Sequence, residues 1–145
     1  MNKKLVTRIV LIALLILALT TLTACDSSSS PESVVEKYFS AVKWGDNQKC
    51  IECFPPTEQA QYKAGASISS KLYGVDADAL ISALFGTMNV NYYKNYEFRV
   101  VNTELTDSSN AIVTVDVYKD NTKSSTSLVY CVKIDGDWYI SAIKN

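Results

Sequence analysis

Apolar residues in this chain recur with two different periods. In the first half the period is helical. Val34, Val35, Tyr38, Phe39 and Val42 return every three or four positions and form one stripe. Ser30 is a good N-cap, Pro31 suits the first helical position, and Glu32 favours the positive end of the helix dipole. Gly45, just after Trp44, stops this helix. Asp46 then caps a shorter one with Cys50, Ile51 and Phe54 on its inner face, ended by Pro55-Pro56. Ala60, Ala64, Ile68 and Leu72 lie four apart and predict a narrow buried stripe up to Gly74. Asp76 caps a further short helix with Leu80, Leu84 and Met88 on its stripe. Gly65 and Gly86 weaken these two helices.

From about Tyr92 the period becomes two. Tyr96, Phe98 and Val100 alternate with Glu97 and Arg99. Val113, Val115 and Val117 alternate with Thr114 and Asp116. Leu128, Tyr130, Val132 and Ile134 alternate with Val129, Cys131 and Lys133. Trp138, Ile140 and Ala142 alternate with Tyr139 and Ser141. These are four half-buried strands, each with its first-named set facing inward. Polar turns separate them at Asp107–Asn110, Asp120–Lys123 and the hairpin signal Asp135-Gly136. Helices first and a meander afterwards predict an α+β fold, N-terminal helices packed on a curved four-stranded antiparallel sheet.

Ahead of these elements lies an apolar run, Ile9 to Leu19, preceded by Lys3, Lys4 and Arg8 and followed by small residues and a serine tract. This is the layout of a secretory signal. Leu22-Thr23-Ala24-Cys25 resembles the lipobox of bacterial lipoproteins. The resemblance implies cleavage after residue 24, a Cys25 that carries diacylglyceryl on sulfur and an acyl (palmitate-type) chain on its amine, and anchoring by two or more chains. The alternative is an uncleaved span from Leu5 to Ala24, which Arg8 shortens below the roughly 20 apolar residues a bilayer needs. The expected organisation is a signal peptide over 1–24, a lipidated cysteine and tether over 25–30, and one domain over 31–145. The expected location is the extracytoplasmic face of the bacterial cell membrane, with the bilayer as a partner through Cys25.

Of 14 basic residues the leader holds Lys3, Lys4 and Arg8, so 11 bases face 15 acids in the remainder, a net charge of −4. Such a domain is repelled by nucleic acid, which is not an expected partner. The chain has no histidine. That removes His-based triads, His general bases and the commonest metal ligand. No cofactor and no metal site are expected.

Pro31 to Phe39, followed by Trp44-Gly45-Asp46, resembles the opening of small nuclear-transport-factor-2-like domains, of the cystatin-like type. Val132 to Ile140 resembles their last hairpin. Between Thr57 and Asn91 the residues read as extra helix where that family has a shorter segment. The resemblance implies a sheet curled around the first helix into a cone that holds a ligand pocket or an active site, or is simply filled.

Three constellations are candidates for chemistry. Cys50-Ile51-Glu52-Cys53 is a CxxC, and redox motifs of this kind need the first thiol at a helix start. Here Cys50 lies a turn beyond the Asp46 cap. The expectation is a structural, weakly reactive Cys50–Cys53 disulfide, with Cys131 reduced on the outer face. Among the nine tyrosines, Tyr38, Tyr96 and Tyr130 fall on expected core faces and are the candidate pocket residues. An isomerase of this fold would add a carboxylate base, but Glu36 and Asp116 lie on outward parity. The acidic pairs Asp76/Asp78 and Asp135/Asp137 read as a helix cap and a turn rather than a calcium site. The expected function is therefore a non-catalytic module that binds a small ligand or an envelope protein, with a homodimer through the outer sheet face as a further partner. The alternatives are a small-molecule enzyme of isomerase type and, third, a CxxC thiol oxidoreductase.

Overall fold

The structure is a computed structural model that describes residues 29–85 and 92–145. The leader, Cys25, Gly86 and Met88 lie outside the described residues. No helix among the described residues is long and apolar enough to cross a membrane.

Helix α1 spans Pro31–Trp44. Its start is a reciprocal capping box. The Ser30 hydroxyl accepts from the Ser33 N–H at 3.2 Å, and the Ser33 hydroxyl accepts from the Ser30 N–H at 3.1 Å. Its end is Gly45, whose φ of 70° is a left-handed conformation that costs a glycine little. Helix α2 spans Asn47–Glu52, capped by the Asp46 carboxylate, which accepts from the Lys49 N–H at 3.1 Å. Helix α3 spans Pro56–Tyr73 and α4 spans Ala77–Phe85. The Asp76 side chain accepts from the Ala79 N–H at 3.0 Å and so caps α4 as expected.

Four strands follow: β1 Tyr96–Leu105, β2 Asn110–Lys119, β3 Thr122–Ile134 and β4 Asp137–Lys144. They form one antiparallel sheet in sequence order, with β1 and β4 at its edges. Helix α1 lies across all four strands, α2 packs on α1, and α3 and α4 pack on α2 and on each other. The fold is thus α+β, with its helices on one sheet face. The core joins Val34, Val35 and Val42 of α1 to Ile51, Val113, Val115, Val129, Trp138 and Ile140.

Several faces differ from the sequence expectation. In β3 the inward set is Ser127, Val129 and Cys131, and Tyr130 lies on the outer face. Both faces of this strand are apolar, so alternation alone does not fix its parity. Ala142 is exposed although Trp138 and Ile140 are buried. The pairing moves from Cys131↔Ile140 to Tyr130↔Ala142, so Ser141 is an extra residue and the parity flips beyond it. In α3 the expected stripe faces water: Ile68 is 58% and Leu72 70% exposed, while Ala66 is the buried residue. In α4 the buried pair is Ile81 and Phe85 rather than Leu80 and Leu84. Both helices meet a helical layer instead of the sheet, and that contact selects a different face of each.

Candidate functional site

A cavity of about 320 Å³ opens where the C-terminal half of α1 crosses the sheet. Helix α1 contributes Tyr38, Phe39 and Val42, and α4 contributes its last residue, Phe85. Tyr93 comes from the turn before β1, Tyr96 and Phe98 from β1, Val117 from β2, and Ile143 from β4. Ser125, Ser127 and Asn145 supply the polar part of the wall.

The aromatic wall follows from two periodicities meeting. Tyr38 and Phe39 sit on the sheet-facing stripe of α1, and Tyr96 and Phe98 are the inward set of β1. Phe39 stacks on Phe98 at 4.5 Å between ring centroids. Tyr38 meets Phe39 edge-on at 5.3 Å and Phe54 at 5.7 Å. Tyr93 and Tyr96 meet at 5.5 Å, and Tyr96 donates a hydrogen bond to the Tyr92 hydroxyl at 3.2 Å. Burial pushes the Tyr38 phenol well above its usual range, so it stays neutral. The Ser127 hydroxyl donates to the Asn145 side-chain oxygen at 2.7 Å, which leaves the Asn145 NH₂ as a donor.

None of the described lining side chains is an acid or a base of the Asp, Glu, Lys or Arg kind. The stretch between Phe85 and Tyr92 contains no ionisable residue either. Asp116 lies on the opposite face of β2, held by Thr126 at 2.8 Å and Lys123 at 2.7 Å. These partners keep its carboxyl below the usual range, Lys123 most. A neighbouring cleft of about 270 Å³ between α1 and β1 shares Phe39 and Phe98 and has Glu36, Lys43 and Glu97 on its wall. There Glu97 is spoken for, since Arg99 donates to it at 2.9 and 2.8 Å. The described wall therefore offers shape, aromatic faces, three tyrosine hydroxyls and a few other hydrogen-bonding groups, and no side-chain carboxylate.

Of the sequence-derived candidates, Tyr38 and Tyr96 meet in this pocket and Tyr130 does not. Tyr130 is on the outer sheet face with the Lys144 ammonium 4.8 Å above its ring. The pocket residues Tyr93, Phe85, Ser125 and Ser127 had a partial signal. Once β3 has Val129 facing inward, Ser125 and Ser127 share its parity, and small side chains there leave the space open.

Cys50, Cys53 and Cys131 are buried, and no disulfide joins Cys50 to Cys53 in this structure. The Cys53 thiol instead donates to the Lys49 carbonyl at 3.1 Å within its own helical turn. Cys131, expected outside, is 2% exposed and belongs to the core. Burial pushes the Cys50 and Cys131 thiols up to about 12. Among the described residues no group of three or more metal-ligating side chains comes together.

The family model described as Domain of unknown function (DUF4878) matches residues 23–141. Among solved structures the chain is similar to the solution structure of RPA3114, a SEC-C motif containing protein from Rhodopseudomonas palustris. The identity is 17% over 81% of this chain and 80% of that one, with a TM-score of 0.49. No curated protein matches the chain.

Proposed function

The chain belongs to this family of domains of unknown function (DUF4878), and from that premise we propose that it is a lipid-anchored, extracytoplasmic binding module for a small, uncharged, largely apolar ligand. The observation that carries the binding half is the aromatic pocket with no charged side chain in its described wall. Its volume of about 320 Å³ is at the lower end of ligand sites, which run roughly 300–1,000 Å³. Apolar walls with a few polar groups bind by shape and desolvation, and the Ser127–Asn145 corner orients the ligand's polar end. Catalysis of the isomerase type asks for a carboxylate side chain, and the described wall has none. Thiol exchange asks for a depressed thiol pKa, whereas burial raises that of Cys50.

The anchored half rests on Leu22-Thr23-Ala24-Cys25 after the Ile9–Leu19 run. In the sequence only Asp26 to Ser29 lie between Cys25 and the Ser30 cap of α1, and this short spacing supports a domain held close to the bilayer. The finer fold we propose is the nuclear-transport-factor-2-like cone, supported by α1 lying across all four strands. Relative to that type, α3 and α4 are an added helical pair.

Two measurements test this. For binding, the full-length protein in detergent is titrated with the neutral fluorescent probe N-phenyl-1-naphthylamine. Wild type gives saturable binding, and Ser125→Trp, which stoppers the cavity from an exposed rim position, abolishes it. Equal binding by both proteins places the probe elsewhere and removes the pocket from the account. For anchoring, the native amino terminus is analysed by mass spectrometry. An acylated Cys25 is expected, and an intact Met1 contradicts it.

A further inference from the structure

The two edges of the sheet are treated differently. At β4 the Ile140 N–H donates to the Cys53 carbonyl at 2.7 Å, so the junction after α2 occupies that edge. At β1 nothing comparable happens among the described residues. The Asp120 N–H donates to the Asn95 carbonyl at 3.1 Å, which fixes the phase of the β1–β2 ladder. In an antiparallel pair, bonded and non-bonded positions alternate. Asn95, Glu97 and Arg99 therefore exchange hydrogen bonds with β2, while Tyr96, Phe98 and Val100 direct their backbone groups out of the sheet edge. The Tyr96 N–H is taken by the Tyr93 carbonyl at 3.0 Å. Among the described residues that leaves the Tyr96 carbonyl and both backbone groups of Phe98 and Val100 without a backbone partner on this edge. A bulge between Val100 and Asn102 ends this stretch.

We propose that this edge pairs with β1 of a second copy, antiparallel about a twofold axis at Phe98, to make one continuous sheet across two protomers. The register follows from charge. With Phe98 opposite Phe98 of the second copy, Glu97 falls opposite Arg99 of that copy, and Arg99 opposite its Glu97. In the single copy these two side chains bridge each other at 2.8 Å, both half exposed, with Arg99 also lying over the Tyr118 ring. Pairing turns that bridge into a ring of four alternating charges. The backbone phase agrees with this register, because the residues with free groups meet one another. Phe98 N–H reaches the second Phe98 carbonyl, and Val100 N–H reaches the second Tyr96 carbonyl, each twice by symmetry. A slip by one residue pairs free groups with occupied ones, and a slip by two sets Glu97 against Glu97 or Arg99 against Arg99. The broad outer face is less suited to this role, because Arg99 covers the Tyr118 ring at 4.3 Å and Lys144 covers that of Tyr130. The inference is independent of the pocket and of the anchor.

The test uses the full-length protein in detergent micelles. Glu97→Cys and Arg99→Cys variants are mixed and oxidised with copper phenanthroline. Positions 97 and 99 are half exposed, so either change leaves the fold in place. The mixture should form disulfide-linked dimer at least about tenfold faster than either variant alone, since only unlike positions are directly opposite. Equal rates, or no dimer at all, overturn the proposal and leave the edge to a different partner. Charge reversal gives a second reading. Glu97→Arg should weaken self-association by about tenfold or more, and adding Arg99→Glu should restore it. A single reversal that leaves self-association unchanged also overturns it.

Discussion

Phe39 stacks on Phe98 with ring centroids 4.5 Å apart and planes at 20°. One helix residue and one strand residue thus form the wall shared by two cavities. Removing either ring merges the two spaces. Phe98→Ala should lower stability by about 3 kcal/mol, the lower end for deletion of a buried aromatic, because Phe98 is only half buried. It should also weaken probe binding more than it weakens the fold. Urea denaturation gives the first quantity and fluorescence titration the second. Unchanged affinity would show that the shared wall does not contact the ligand.

Trp138 is 5% exposed, and its neighbour in the inward set, Ile140, is fully buried. Trp138→Ala should cost about 3–5 kcal/mol in equilibrium unfolding. A melting temperature equal to wild type would mean that the indole contributes no packing.

The cysteines should be silent in the native state. With the Cys50 and Cys131 thiols raised to about 12, almost none of either is thiolate at pH 8. Peptide mapping after a short iodoacetamide pulse should find both unmodified, and both fully modified after denaturation. Rapid native labelling of Cys50 would revive the oxidoreductase reading.

Asp116 gives a pH dependence with a defined sign. Its carboxyl is held below its ordinary value by Lys123 first and Thr126 second. The stabilisation is therefore fully present above the unfolded value of 3.8 and is lost as pH falls through the lower folded value. Asp116→Asn should be less stable than wild type at neutral pH, and the difference should shrink toward zero in strong acid. A difference that stays constant down to pH 2 would show that the charge is not what Lys123 and Thr126 stabilise.

Local signals were legible in the chain and tertiary choices were not. Ser30, Asp46 and Asp76 cap helices as their side chains require, and Asp135-Gly136 turns with φ of 51° and 98°. These depend on a few consecutive residues. Which face of α3 is buried depends on α2 and α4, so a stripe of Ala60, Ala64, Ile68 and Leu72 at good spacing still faces water. The β3 parity failed for a related reason. Leu128, Tyr130 and Val132 are larger than Ser127, Val129 and Cys131, yet the smaller set fits beneath α1. The Ser141 bulge has no sequence mark, since neither glycine nor proline is there. Two residues of the pocket, Tyr38 and Tyr96, were visible as candidates. Its β3 wall and Phe85 needed the β3 parity and the packing of α4, both of which are tertiary.

The central claim is a pocket that binds a neutral ligand without a side chain that changes its charge near neutral pH. The most direct test is the affinity of full-length protein for N-phenyl-1-naphthylamine measured from pH 5.5 to pH 9, a window above the usual carboxylate range and below the usual tyrosine and lysine range. The account predicts saturable, one-site binding with a dissociation constant that stays flat across that window. A titration step within it would place a proton-exchanging group in the pocket and favour the enzyme reading, and an absence of binding at every pH would contradict the pocket itself.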